Sequence, residues 1–190
     1  MRRLLLLCTG NYYRSRFAEA LFNALAAEAG LPWRADSRGL ALSPANVGPI
    51  SPLALAGLAD RGIVPDAPAR WPRLVDERDL AAADLIIAVS AAEHRPLLAR
   101  AFPAWAERVT YWEVEDLHLM PAEAALAELE RAVQRLVEQL AASPAAAGPP
   151  RRARSASLPA APSPAAAPRP GGGASPPGRR PPAQRGPGAR

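Results

Sequence analysis

The chain contains one cysteine, Cys8, and an arginine six positions after it, in the run Cys8-Thr9-Gly10-Asn11-Tyr12-Tyr13-Arg14-Ser15. A solidly apolar stretch precedes this run and a helical pattern follows it. A helix N-terminus presents unpaired backbone N–H groups and a positive partial charge. A loop of such groups wrapped ahead of it forms an anion cradle. Cys8 stands at the rim of that cradle, a setting that favours a thiolate, the nucleophilic form of cysteine. Arg14 supplies a planar two-pronged donor able to hold two phosphate oxygens. Ser15 can donate its hydroxyl to the sulfur. A thiolate, a ring of donors and a guanidinium suit attack on a phosphorus(V) centre. A lone cysteine after a buried strand is more often a small core hydrophobe. Here Gly10, Asn11, Arg14 and Ser15 all sit where an anion loop requires them.

The elements that must position this run read as alternating strands and helices. Residues 3–7 form a short run expected to be a strand buried on both faces of a parallel sheet. A helix is expected over about Ser15 to Ala29, with Phe17, Leu21, Ala24 and Leu25 on one face; Gly30 ends it and Pro32 prevents resumption. Trp33 to Ser37 is a second strand. Ser51-Pro52 opens a helix that Gly62 closes. Asp84 to Val89 is a third strand, and Ser90 to Glu93 spells a capping box for a helix to about Ala101. Val109 to Trp112 is a fourth strand. Pro121 starts a last helix striped by Leu126, Leu129, Val133, Leu136, Val137 and Leu140. This alternation implies an α/β fold with a mostly parallel sheet covered on both faces, and ligands bind such sheets at the carboxyl ends of strands beside a switch in strand order.

Composition divides the chain. All 23 basic residues are arginine, and the net charge of +5 hides two unlike parts. Residues 143–190 hold thirteen prolines, seven glycines, eight arginines and no acid, and Leu158 is their only large apolar residue. Such a segment cannot offset its ordering entropy, so a disordered tail is expected, able to contact anionic partners weakly. Its prolines admit P-x-x-P spacing, as in Pro159 to Pro162, but that spacing is almost unavoidable at this density. Residues 1–142 carry fifteen arginines against 18 acids and form about one domain. That domain is mildly acidic, which argues against nucleic acid as its partner. A chain ended near Ala142 is expected to keep full activity on a small ligand. A single cysteine excludes an internal disulfide and a cysteine-based zinc site and fits a reducing, cytoplasmic compartment. Arg2-Arg3 before Leu4 to Leu7 is too short a start for a signal peptide, and no stretch approaches the length of a membrane span.

The motif Cys8-Thr9-Gly10-Asn11-Tyr12-Tyr13-Arg14-Ser15, followed by Ala18-Glu19-Ala20, resembles the signature of the low-molecular-weight protein tyrosine phosphatases and of the arsenate reductases that share their fold. Asp36-Ser37-Arg38-Gly39, residues 57–63 and residues 84–89 extend the likeness over roughly 3–141. The resemblance implies a three-layer αβα sandwich around a four-stranded parallel sheet, a flavodoxin-like phosphatase fold that needs no metal or cofactor. It implies a phospho-cysteine on Cys8, phosphate binding by Arg14 and residues 9–15, bracing by Asn11 and thiolate support by Ser15. The leaving oxygen also needs a proton donor. The resemblance places it on Asp116, where the family's Asp-Pro pair is Asp116-Leu117 here; Glu115 and Glu113 compete. The family's second loop cysteine is Tyr13 in this chain, so an oxidised Cys8 has no internal resolving thiol. Tyr12 and Tyr13 can each line the mouth or pack inward. His94 and His118 read as surface or structural, and Trp71 or Trp112 as possible borders of the site. The leading expectation is hydrolysis of a phosphotyrosine protein or small phosphomonoester. Arsenate reduction with an external thiol and non-catalytic binding of a phospho-ligand are the alternatives.

Overall fold

The computed structural model describes residues 1–114 and 121–143. The elements are β1 (Arg2–Cys8), α1 (Arg14–Glu28), β2 (Trp33–Gly39), α2 (Pro52–Ala59), α3 (Glu77–Ala82), β3 (Leu85–Ala88), α4 (Ala91–Ala101), α5 (Pro103–Ala106), β4 (Thr110–Tyr111) and α6 (Ala122–Ala142). The chain divides into a unit of Met1–Arg151 and another of Arg152–Arg190. The second unit, and with it almost all of the expected tail, lies outside the described residues. α6 ends at Ala142, where the composition changes.

The four strands form one parallel sheet in the order β2-β1-β3-β4. β1 is central and buried from Leu4 to Cys8, which is why its sequence is apolar without alternation. Its side chains nevertheless divide by parity. Leu4 and Leu6 join Ile87 and Val89 in a core shared with Phe17, Leu21 and Phe22 of α1, Ala54 and Leu58 of α2, and Leu129 and Val133 of α6. Leu5 and Leu7 join Ile86 and Ala88 on the other face with Val75, Leu80 of α3, Leu98 of α4 and Ala106 of α5. Helices therefore cover both faces, giving the αβα sandwich. The chain leaves β1 for β2 on one side and returns to β3 on the other. The carboxyl end of β1, where Cys8 lies, is thus the switch point at which open α/β sheets bind ligands.

Two short helices, α3 and α5, were not anticipated by the periodicity. α3 is held at its start by a reciprocal pair: Asp76 accepts from the Asp79 backbone N–H at 2.8 Å, and Asp79 accepts from the Asp76 N–H at 3.4 Å. The capping box expected at Ser90 is half made. Ser90 accepts from the Glu93 N–H at 3.4 Å, but the Glu93 carboxylate turns to Arg14. β4 spans two residues rather than the four expected. Among the described residues, no helix is long and apolar enough to cross a membrane.

Candidate active site

The loop between β1 and α1 is turned by its own carbonyls. The Cys8 and Thr9 carbonyls accept from the N–H groups of Leu40 and Ala41, each at 2.9 Å. The Tyr12 carbonyl accepts from Ser51 N–H at 2.9 Å, and the Tyr13 carbonyl from Phe17 N–H at 3.0 Å. These bonds tie four of the loop's carbonyl oxygens to Leu40, Ala41, Ser51 and Phe17. α1 starts there with no acidic residue in its first turn, so no side chain of that turn neutralises the positive end of the helix. β2 must run very close beside the loop: a Cβ on Gly39 would lie 2.9 Å from the Thr9 carbonyl oxygen and 3.1 Å from the Asn11 nitrogen. Only glycine fits, which explains the glycine that closes the segment Asp36 to Gly39.

Cys8 is buried at the base of this loop. The Asn11 backbone N–H points at its Sγ at 3.2 Å, and Ser15 Oγ lies 2.9 Å from it. The direction of the second contact follows from its neighbours. Asn11 Nδ2 donates to Ser15 Oγ at 3.2 Å and to Ser37 Oγ at 2.8 Å. Ser15 Oγ, already receiving, gives its own proton to the sulfur. Two donors therefore converge on Cys8 Sγ. Asn11 Oδ1 accepts from the Arg73 N–H at 2.9 Å, so this one side chain ties the loop, β2 and the segment before α3 together. Asn11 is fully buried with φ +48, a left-handed conformation that asparagine tolerates better than other side-chain-bearing residues.

Arg14 is buried and held by a forked pair. Its Nη1 and Nη2 donate to Glu93 Oε1 at 2.7 Å and Oε2 at 2.8 Å, and Nη1 also donates to the Val114 carbonyl at 3.2 Å. Burial pushes the Glu93 carboxyl up, but the hydrogen bonds and charge of Arg14 more than offset this and hold it below its usual range. Thr9 Oγ1 donates to Glu93 Oε2 at 3.2 Å, and His94 Nε2 lies 3.3 Å from Thr9 Oγ1. Glu93 is the residue whose role spacing alone misassigned. It reads locally as a helix cap, and its partner lies 79 positions away.

Behind Asn11, Ser37 is held by a charged cluster. Its hydroxyl donates to Glu19 Oε2 at 2.5 Å, and Arg70 and Arg16 reach the same oxygen at 2.6 and 3.2 Å. Burial pushes the Glu19 carboxyl up against the opposing charge of Arg70 and the hydrogen bond from Ser37. Glu19 belongs to the Ala18-Glu19-Ala20 triplet noted in the sequence, and its carboxylate braces the loop from below.

The two loop tyrosines separate. Tyr13 is buried, and its hydroxyl donates to the Ala122 carbonyl at 3.0 Å, fastening the loop to α6. Tyr12 is half-buried at the mouth, and its hydroxyl donates to the Val47 carbonyl at 2.7 Å. Trp71 is 64% exposed and Val47 84%. Glu113 is exposed and bridges Ser90 through backbone. Glu115, Asp116, Leu117 and His118 lie outside the described residues. Among the described residues, no group of three or more His, Cys, Asp or Glu could hold a metal ion.

The sequence matches the family described as low molecular weight phosphotyrosine protein phosphatase over residues 3–145. A search of curated proteins returned no significant match. Solved structures are similar. A low molecular weight protein tyrosine phosphatase from T. tengcongensis is 30% identical with a TM-score of 0.62, covering 73% of this chain and 99% of that one. The YwlE arginine phosphatase from Geobacillus stearothermophilus is 26% identical with a TM-score of 0.59, covering 74% of this chain and 93% of that one. A cysteine-to-serine mutant of YwlE arginine phosphatase with a phosphorylated active-site serine is 25% identical with a TM-score of 0.64, covering 76% of this chain and 99% of that one. The chain belongs to the low molecular weight phosphotyrosine protein phosphatase family.

Proposed function

Proceeding from that membership, we propose that the chain is a cysteine-dependent phosphomonoesterase acting on phosphotyrosine in proteins or on small aryl phosphates. The observation that carries this reading is the convergence of the Ser15 hydroxyl and the Asn11 N–H on Cys8 Sγ, beside the start of α1 and the buried Arg14. In the first step the Cys8 sulfur attacks phosphorus, the P–O bond to the leaving group breaks, and Asp116 gives that oxygen its proton. In the second step Asp116 takes a proton from water, the water oxygen attacks phosphorus, and the electron pair of the P–S bond returns to Cys8. Thiolate departure is supported by the same two donors that supported attack. Glu93 holds Arg14 through Nη1 and Nη2 and so sets the plane in which the guanidinium meets the phosphate. The phosphorylated active-site serine of the YwlE mutant supports a covalent step at the corresponding position.

The aryl preference is supported by Tyr12, a half-buried loop side chain whose hydroxyl donates to the carbonyl of the exposed, apolar Val47. A second reading, hydrolysis of phosphoarginine, is favoured by the arginine phosphatases among the similar structures. A lone catalytic thiol must stay reduced, which supports a reducing compartment such as the cytoplasm. The test is metal-free turnover of p-nitrophenyl phosphate, a phosphotyrosine peptide and a phosphoarginine peptide by wild type, Cys8→Ser and Asp116→Asn. Wild type is expected to hydrolyse the first two, Cys8→Ser none, and Asp116→Asn slowly. Preference for the phosphoarginine peptide would move the substrate class. No turnover at all would leave a phospho-ligand binder, and activity only with arsenate plus a thiol would leave a reductase.

A further inference from the structure

His94 is fully buried at the start of α4, with its ring between the backbone of Ser90 and the side chain of Thr9. The Ser90 backbone N–H donates to His94 Nδ1 at 3.0 Å. A nitrogen that accepts in a neutral imidazole leaves the proton on the other nitrogen, so the ring proton is on Nε2. Nε2 then donates to Thr9 Oγ1, 3.3 Å away, and the Thr9 hydroxyl proton goes on to Glu93 Oε2 at 3.2 Å. Glu93 closes the series on the Arg14 guanidinium with both oxygens. Each donor in the series is oriented by the one before it, and the sequence begins at a backbone amide that cannot rotate.

We propose that His94 is a positioning residue for the phosphate-binding arginine: through Thr9 it fixes the rotamer of Glu93, and Glu93 fixes the plane of Arg14. A carboxylate on a helix surface has several rotamers, and only one presents both oxygens to the guanidinium. The helix cap that Glu93 abandons would otherwise recapture it, because Ser90 and Glu93 have capping-box spacing. The ring of His94 takes up the Ser90 N–H that the Glu93 carboxylate would accept from in that box. His94 thus acts twice, by occupying the competing donor and by supplying the proton that aligns Thr9. The inference rests on the phosphatase reading for its activity readout and on the geometry alone for its spectroscopic one.

The two ring nitrogens can be tested apart. Asparagine at 94 places an acceptor near the Nδ1 position and keeps the Ser90 contact but offers nothing to Thr9. Glutamine places an NH2 near the Nε2 position and keeps the donation to Thr9. Wild type, His94→Gln and His94→Asn are compared for kcat and KM on p-nitrophenyl phosphate and for inorganic phosphate affinity by calorimetry. A lost hydrogen bond to an aligned charged network is expected to cost about tenfold. His94→Asn should lose about tenfold in kcat/KM and in phosphate affinity, and His94→Gln should recover most of both. A residue that only packs or caps α4 would show the reverse order or equal loss in both variants, and either result overturns the proposal. Imidazole 15N NMR on wild type should show the Nε2–H tautomer; an Nδ1–H tautomer overturns it whether or not the protein turns over substrate. An inactive wild type with the Nε2–H tautomer and weakened phosphate binding in His94→Asn would sink the phosphatase reading and leave this one standing.

Discussion

Replacing Asn11 by alanine separates the two things this residue does. The substitution deletes three hydrogen bonds, to Ser15 Oγ, Ser37 Oγ and from the Arg73 N–H. The Arg73 amide is left without its acceptor, at about 1–3 kcal/mol, and each hydroxyl loses a contact worth about 1 kcal/mol. Alanine must also keep φ +48, which costs about 1–2 kcal/mol where glycine pays little. Asn11→Ala is therefore expected to lose about 4–7 kcal/mol, and Asn11→Gly about 1–2 kcal/mol less than that. Asn11→Asp keeps the acceptor for Arg73 but turns an oxygen toward Ser15, drawing the serine proton away from Cys8. It should unfold later than Asn11→Ala yet be nearly as impaired in turnover. Urea unfolding at neutral pH measures the stabilities, and p-nitrophenyl phosphate hydrolysis the activities. Equal stability of the alanine and glycine variants would refute the backbone argument. A total loss under about 1 kcal/mol would refute the bracing argument.

Further outcomes follow from neighbouring groups. Ser15→Ala removes a buried donor to the sulfur, and a hydrogen bond to a charged group is worth about 1.5–3 kcal/mol, so kcat should fall by about 10- to 100-fold, while loss of the acceptor for Asn11 Nδ2 should cost about 1 kcal/mol in urea unfolding. Glu93 is held below its usual range, so its stabilising contribution is present above the ordinary carboxylate pKa and is lost as pH falls through the lower folded value. The urea midpoints of wild type and Glu93→Gln should accordingly differ most at neutral pH and converge in acid; a gap that widens in acid would contradict the pairing. Cys8 is the sole cysteine, so activity lost to peroxide should return only with an added thiol, and spontaneous recovery would show another resolving group.

The residues that build the cradle could be read because they are local. Cys8 to Ser15 form one turn between a strand and a helix, and the loop's chemistry is set by types and spacing within eight positions. The sheet could be read for a similar reason: β1 and β3 are buried on both faces, and their unbroken apolar runs say so. What escaped was non-local. Glu93 satisfies a capping pattern in sequence and abandons it for an arginine on another element, because a buried guanidinium is a stronger partner than the Ser90 amide, which His94 already serves. Tyr13 could face either way until α6 supplied the Ala122 carbonyl. Arg70 and Glu19 meet across 51 positions. α3 was missed although its Asp76 and Asp79 spell a capping box, because its six residues give no helical period.

The central claim is that Cys8 carries the phosphoryl group inside this loop. The direct measurement is the mass of tryptic peptides after acid quench during turnover of p-nitrophenyl phosphate, in wild type and in Asp116→Asn. One phosphoryl adduct on the peptide containing Cys8 is expected, more abundant in Asp116→Asn, with none in Cys8→Ser. Steady turnover by Cys8→Ser, or an adduct on any other peptide, would contradict the account.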